Sequence, residues 1–99
     1  MIYHVTTPQA WQQAQENGFY TAASLEQEGF IHCCRPEQLE GVLDRYYKQV
    51  QNLLVLHIDE SLLTVPVKYE PSPLAHELFP HVYGTINLEA VQTIKPLVR

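Results

Sequence analysis

Two histidines occupy nearly the same setting, each early in a short apolar segment. One lies in Ile2-Tyr3-His4-Val5-Thr6 and the other in Phe30-Ile31-His32-Cys33-Cys34. If both segments are β-strands, alternation places each histidine on the face opposite to its neighbours, with Tyr3, Val5 and Ile31 in the core. Because an imidazole titrates near neutral pH and hydrogen-bonds through either ring nitrogen, this pattern predicts that both histidines line one cleft. The alternative is a pair of half-buried histidines satisfied by backbone groups.

Glu70 and His81 could join the two histidines. Glu70 stands at the end of an alternating segment, where it would act as a general base or bind a ribose hydroxyl; the alternative is a surface carboxylate. His81 lies between Phe79 and Tyr83 in a segment rich in proline, which we expect to be a loop. Rigid loops often carry functional groups, so we expect the two aromatic rings to hold His81 at the mouth of the cleft. The alternative is that His81 caps a backbone carbonyl.

The cysteines and glycines provide no recognised motif. Cys33 and Cys34 are adjacent, which is poor geometry for a disulfide, and alternation places Cys33 in the core and Cys34 on the histidine face. The chain has no C-x-x-C, H-E-x-x-H or paired H-x-H spacing, so we assign no metal ligands. It also has neither of the glycine loops that bind phosphate. A metal site assembled from distant histidines and Cys34 stays open as an alternative.

The remaining pattern predicts how these residues are positioned. A helix should begin at Thr6–Gln9 with a capping box and end at Gly18, and a single helical turn at 24–27 should end at Gly29. The continuous apolar run 53–58 indicates a central strand. The other expected elements are a long helix over 37–50, an edge strand at 65–70, a loop over 71–84, a turn near 87–91 and a final strand near 93–98. The order indicates an α+β fold in one small domain, residues 1–99, with a mixed or antiparallel sheet and two main helices.

Size and charge restrict the function classes. The 99 residues are 45% hydrophobic and 17% charged, which is ordinary for one globular domain. Six basic and eleven acidic residues give a net charge of -5, which argues against nucleic acid as a partner. No apolar run approaches the roughly 18 residues that span a bilayer, and the first residues do not resemble a signal peptide. We therefore expect a cytoplasmic protein without a membrane partner; its oligomeric state is not predicted.

Together, these segments resemble domain-of-unknown-function family 952. The resemblance covers essentially the whole chain, and its specific parts are Gly-Phe-Ile-His-Cys at 29–33 and Phe-Pro-His-Val-Tyr-Gly at 79–84. Further support comes from the first strand, the Trp11 helix that ends at Gly18, Ser24-Leu25 and Gln38. The family commonly has serine after the His-Cys pair, where this chain has Cys34.

The resemblance implies an ADP-ribosyltransferase-like fold. In that superfamily the first strand often carries His-x-Thr, which contacts the ribose and amide on the nicotinamide side of NAD, and His4 and Thr6 match this pattern. The arrangement is also similar to the RNA 2′-phosphotransferases, which transfer an RNA phosphate to NAD with the help of arginines. Arg35 is the only arginine near either motif, so an RNA substrate is disfavoured.

The leading hypothesis is a cleft that binds NAD, ADP-ribose or a related nucleotide as cofactor or substrate. Its activity, if the domain is an enzyme, would be an NAD-dependent ADP-ribosyl or phosphoryl transfer. The expected catalytic residues are His4, His32 and Glu70. The expected ligand-binding residues are Thr6, Tyr20, Ser24, His81 and Tyr83, with Tyr20 or Tyr83 as the stacking face. The alternatives are a non-catalytic module that binds a small ligand or a protein, and a histidine–cysteine metal-binding domain.

Overall fold

A computed structural model describes residues 1–72 and 75–98. In chain order the strands and α-helices are β1 (Ile2–Thr6), α1 (Pro8–Asn17), β2 (Phe19–Tyr20), α2 (Ala23–Glu28), β3 (Ile31–His32), α3 (Leu39–Tyr46), β4 (Asn52–Ile58), β5 (Val67–Ser72), β6 (Ala75–Val82), β7 (Ile86–Asn87) and β8 (Val91–Val98). Short 3-10 turns lie at Pro36–Gln38, Glu60–Leu62 and Leu88–Ala90. These helices and antiparallel sheets confirm the α+β class. No helix in the described part of the chain is long and apolar enough to cross a membrane.

The first sheet has the antiparallel order β1-β4-β8. Its middle strand is the apolar run predicted to be central, and Leu56 and Ile58 in it are completely buried. Alternation along β1 sends Ile2 into the main core cluster and Val5 into a second cluster with Leu43. Both faces of β1 are therefore covered by protein, as a strand with few polar positions requires.

Tyr3 differs from its expected place in the core. Its side chain is only half-buried, and its ring stacks on that of His57, the residue opposite it in β4, with the ring centroids 4.1 Å apart. Val5 and Ile31 are buried as expected. The predicted alternation along β1 is therefore correct. Alternation alone does not indicate that the Tyr3 ring stacks on an imidazole instead of entering the core.

The second sheet has the antiparallel order β3-β6-β5. The predicted loop over 71–84 is wrong for most of its length, because residues 75–82 form β6, the middle strand of this sheet; Pro73 lies outside the described residues. Pro80 can stand in a middle strand because its carbonyl points towards β3, where it accepts a hydrogen bond from the Cys33 N–H at 3.1 Å. The N–H that proline lacks would point the same way, towards Cys33, which follows the last residue of β3.

The two helices near the N-terminus end at left-handed glycines, as predicted for Gly18 and Gly29. At the start of α1, however, the cap is Thr7 and not Thr6: the Thr7 hydroxyl accepts a hydrogen bond from the Ala10 N–H at 3.1 Å. The predicted helix over 37–50 is shorter in the structure, because it begins as a 3-10 turn and α3 ends at Tyr46. Thr6 is consequently free from capping and extends β1.

The strands β2 and β7 form a third sheet, which is two-stranded and antiparallel. A pair of backbone hydrogen bonds joins the first sheet to the second. Tyr3 of β1 and Cys34, just after β3, donate to each other's carbonyl oxygens at 2.7 and 2.8 Å. This bridge brings the histidine of β1 beside the end of β3. The two segments that the sequence singled out are therefore neighbours.

Substitutions at two glycines should change the free energy of unfolding in opposite directions. A methyl group at Gly84 would lie 2.6 Å from Val65 Cγ1, so Gly84→Ala should lower the free energy of unfolding by about 1–3 kcal/mol. At Gly41, inside α3, it would meet only the flexible Arg45 guanidinium at 3.2 Å. Gly41→Ala should therefore raise the free energy of unfolding by about 1 kcal/mol through helix propensity.

Urea denaturation of both variants measures these changes. In a Val65→Ala background the Gly84→Ala cost should shrink, because the clashing methyl groups are gone. An unchanged cost would show that the close approach to Val65 is not its cause.

Candidate functional site

A cleft of about 1000 Å3 opens between β1, the end of β3 and the segments around α2 and α3. Six of the eight predicted site residues line it: His4, Thr6, Tyr20, Ser24, His32 and His81. Glu70 and Tyr83 are not in its lining. None of the lining residues that the structure describes is a lysine or an arginine. The cleft therefore offers imidazoles, hydroxyls and aromatic rings, and no permanent positive charge.

His4 uses both of its ring nitrogens on the protein. Nδ1 lies 2.6 Å from the His32 carbonyl oxygen, and Nε2 lies 2.7 Å from the Tyr20 hydroxyl. Burial lowers the pKa of His4 to about 4, so the ring is neutral at physiological pH. A carbonyl only accepts, so Nδ1 carries the proton and Nε2 must accept one. His4 thus has no ring nitrogen left for a ligand, which makes it a positioning residue.

Tyr20 and Thr6 complete this hydrogen-bonded chain. Their two hydroxyl oxygens are 2.9 Å apart. Since Tyr20 gives its single proton to His4 Nε2, the Thr6 hydroxyl is the donor between these two groups. Burial raises the pKa of Tyr20 to about 12, which keeps the hydroxyl protonated. The chain leaves acceptor capacity on Thr6 Oγ1, so Thr6 is the member that could bind a donor on a ligand.

His32 and His81 form a second polar group in the cleft. They are directly opposite each other in β3 and β6, and their ring centroids are 5.4 Å apart. Each imidazole contacts one carboxylate: His32 Nε2 lies 2.9 Å from Glu28, and His81 Nδ1 lies 2.8 Å from Glu70. Among the described residues, the other nitrogen of each ring has no hydrogen-bond partner. These two nitrogens are available to a ligand.

Glu70 contacts His81 instead of lining the cleft. One of its carboxylate oxygens accepts hydrogen bonds from both the Tyr83 hydroxyl, at 2.5 Å, and His81 Nδ1. The hydrogen bond from Tyr83, and to a smaller extent the one from His81, holds the pKa of Glu70 below its ordinary value, so the group stays a carboxylate. The same contact raises the pKa of Tyr83. Glu70 and Tyr83 therefore orient His81, whose side chain is only 8% exposed.

Phe30 and Glu28 are site residues that sequence reasoning did not assign. The Phe30 ring stacks on His81 with the centroids 4.0 Å apart and meets His32 edge-on at 4.8 Å. Glu28 precedes His32 by four residues, a spacing that could have suggested the contact. Ser24, predicted to bind a ligand, donates its hydroxyl proton to the Phe30 carbonyl at 2.8 Å. Ser24 therefore holds the turn that presents Phe30.

The cysteines and the acidic groups do not assemble a metal centre. Within the described residues, no group of three or more metal-binding side chains comes together. Both cysteines are free and buried, Cys33 in the core cluster and Cys34 in the cleft wall. Burial raises the pKa of Cys33, and it raises that of Cys34 to about 11. Protonated thiols are poor nucleophiles and poor metal ligands, so neither cysteine is activated for such a role.

The comparisons with known proteins concern the family and the fold. The sequence model of the family described as "Protein of unknown function (DUF952)" matches residues 5–94. The crystal structure of protein CC0527 from Caulobacter crescentus has a TM-score of 0.86 and 25% identity, and the match covers 96% of this chain and 83% of that one. Its solution NMR structure has a TM-score of 0.79 and 25% identity, with coverage of 95% and 81%. No curated protein matches the chain.

The buried neutral state of His4 predicts a pH dependence of stability. Its pKa is about 4 in the folded protein against an ordinary 6.5, so the unfolded chain binds the proton more tightly. The contribution of His4 is fully present above pH 6.5 and is lost as the pH falls towards 4, by about 3 kcal/mol in total. Urea denaturation at pH 7 and pH 5 measures it.

A variant that cannot titrate at this position provides the control. His4→Gln should be less stable at pH 7 but should lose less stability than the wild type between pH 7 and pH 5. His76→Gln, at an exposed position of β6, should keep the wild-type dependence. Equal pH dependence in all three proteins would show that His4 is not held neutral by the fold.

Proposed function

The chain belongs to the DUF952 family of proteins of unknown function, and we propose that its cleft binds NAD, ADP-ribose or a related nucleotide. The observation that carries this proposal is the composition of the cleft wall. Aromatic rings lie beside hydroxyl and imidazole groups in a volume of about 1000 Å3, the upper end of the range of small-molecule sites. Such a wall suits a planar base joined to a ribose.

The distribution of charge supports one orientation of the ligand. The cleft wall has no lysine or arginine among its described residues, so it offers little to a pyrophosphate. Arg45 lies near the rim, with its guanidinium 6.0 Å from the ring centroids of Tyr46 and Phe79, both of which line the cleft. We therefore propose that the base and its ribose enter the cleft and that the phosphates stay near Arg45.

The proposed roles follow from which atoms are left without a protein partner. Thr6 Oγ1 accepts a hydrogen bond from the ligand, and His4 and Tyr20 hold Thr6 in place. The unpartnered nitrogens of His32 and His81 face the ribose hydroxyls. Phe30, packed on His81, and Tyr46, which is 54% exposed, supply the aromatic faces. Tyr20, whose ring is buried and whose hydroxyl is engaged, does not stack.

Titration with NAD and with ADP-ribose, followed by NMR of the histidine side chains, tests the proposal. The resonances of His32 and His81 should shift at ligand concentrations up to a few millimolar, the weak end of specific binding. His76 is the internal control, because it is exposed on β6 and does not line the cleft. No shift of His32 and His81, or equal shifts of all three histidines, would contradict the proposal.

An Arg45→Gln variant separates the two ends of the ligand. If the phosphates lie near Arg45, its loss should weaken binding of NAD and ADP-ribose by about two- to fivefold, as for a partly exposed ion pair. Binding of nicotinamide riboside, which has no phosphate, should not change. Lys48→Gln, at an exposed position beyond α3, is the matched loss of charge.

A further inference from the structure

We infer that the cleft selects a cationic N-ribosyl group, such as the nicotinamide riboside part of NAD, and that His81 is the general base for its hydrolysis. This inference rests on the nucleotide binding proposed above and adds the chemical class of the reacting group and the catalytic residue. It depends on two independent observations. One is the geometry of His81, and the other is the charge of the groups around it.

The geometry of His81 is that of an oriented base. Glu70 accepts the proton of Nδ1, so in the neutral ring the lone pair is on Nε2, the nitrogen that has no partner among the described residues. Tyr83 holds the same Glu70 oxygen, and the Phe30 ring covers one face of the imidazole. A ring held at Nδ1 and on its face has few orientations, which is what a general base requires.

The surrounding charge favours a cation. Glu28 is in the cleft wall beside His32, and Glu70 lies behind His81, while the described wall has no lysine or arginine. The rings of Phe30 and Tyr46 add faces that attract a cation. A pyridinium on ribose is a cation, and so is the ribosyl group as its bond to nitrogen breaks. A carboxylate in the cleft wall, such as that of Glu28, would stabilise both.

The reaction needs only water in addition to the ligand. As the bond between C1′ and the pyridinium nitrogen breaks, its electron pair returns to the ring, and nicotinamide leaves as a neutral molecule. The oxygen of water forms a bond to C1′. The proton of that water passes to His81 Nε2 and then to solvent. Nicotinamide leaves without taking up a proton, so one base is sufficient. The positive charge of the pyridinium is balanced by the proton that the water releases.

Binding measurements test the selection. Isothermal titration should show that NADH, whose dihydropyridine ring is neutral, binds about tenfold or more weakly than NAD, the effect expected from loss of a cation–aromatic contact. Nicotinamide riboside should also bind. If NAD and NADH bind equally, the proposed nucleotide site stands and the selection for a cation is wrong. If neither binds, both proposals fail.

Turnover measurements test the base. Purified protein should release nicotinamide from NAD and from nicotinamide riboside, measured by chromatography, and His81→Gln should lower kcat by about 100-fold or more. His76→Gln should not change it. Binding of NAD without release, or release that survives in His81→Gln, would overturn the assignment of His81 while leaving the binding site intact.

A variant of Glu70 tests the same assignment without changing His81, so its result does not depend on whether His81→Gln folds. As a positioning residue, Glu70→Gln should lower kcat about tenfold or more and leave KM nearly unchanged, because it orients the base without touching the ligand. Glu16→Gln, at an exposed position of α1, is the matched change of a carboxylate and should leave both constants unchanged. An equal effect of the two variants would show that the Glu70 contact only maintains the fold.

Discussion

The buried imidazole of His4 is the interaction on which the site depends. It receives a hydroxyl proton from Tyr20 of β2 and donates to the carbonyl oxygen of His32 in β3, so one side chain on β1 ties together the first elements of all three sheets. A buried polar group without partners costs about 1–3 kcal/mol, and a charged one costs more. The fold is therefore compatible with a neutral His4 ring whose two nitrogens are both hydrogen-bonded. These two hydrogen bonds fix the position of β1 relative to β2 and β3.

The elements with simple periodicity could be predicted from the sequence, and those decided by tertiary contacts could not. The central strand β4, the edge position of β5 and the glycine ends of α1 and α2 follow from local pattern. The segment before Val82 contains several prolines, which normally exclude a central strand. It forms β6 because Pro80 needs only to accept a hydrogen bond, from Cys33. Whether a missing N–H matters depends on the neighbouring strand, which local sequence does not reveal.

The candidate site was partly predictable for the same reason. Alternation and matched segments correctly place His4 and His32 in the wall of one cleft, but they do not distinguish a histidine whose nitrogens are both engaged from one that keeps a nitrogen available. The register of β3 against β6 puts His81 opposite His32, and the register of β5 puts Glu70 within reach of His81. Those pairings join residues 49 and 11 positions apart, so no local spacing in the sequence could indicate them.

The same side chain therefore has two different uses within one cleft, and its environment determines which. His4 is buried between two neutral partners, so its charged form is disfavoured and its proton is fixed on Nδ1. His81 is just as buried, but its partner is the Glu70 carboxylate, which also accepts a hydrogen bond from Tyr83. In the proposed hydrolysis this carboxylate would stabilise an imidazolium. Neutral partners at both nitrogens make His4 a structural link, whereas a carboxylate at one nitrogen of His81 is the arrangement that orients a general base. The placement of Glu70 behind His81, and not behind His4, is thus the difference on which our proposal depends: a base on one side of the cleft and a fixed hydrogen-bonded wall on the other.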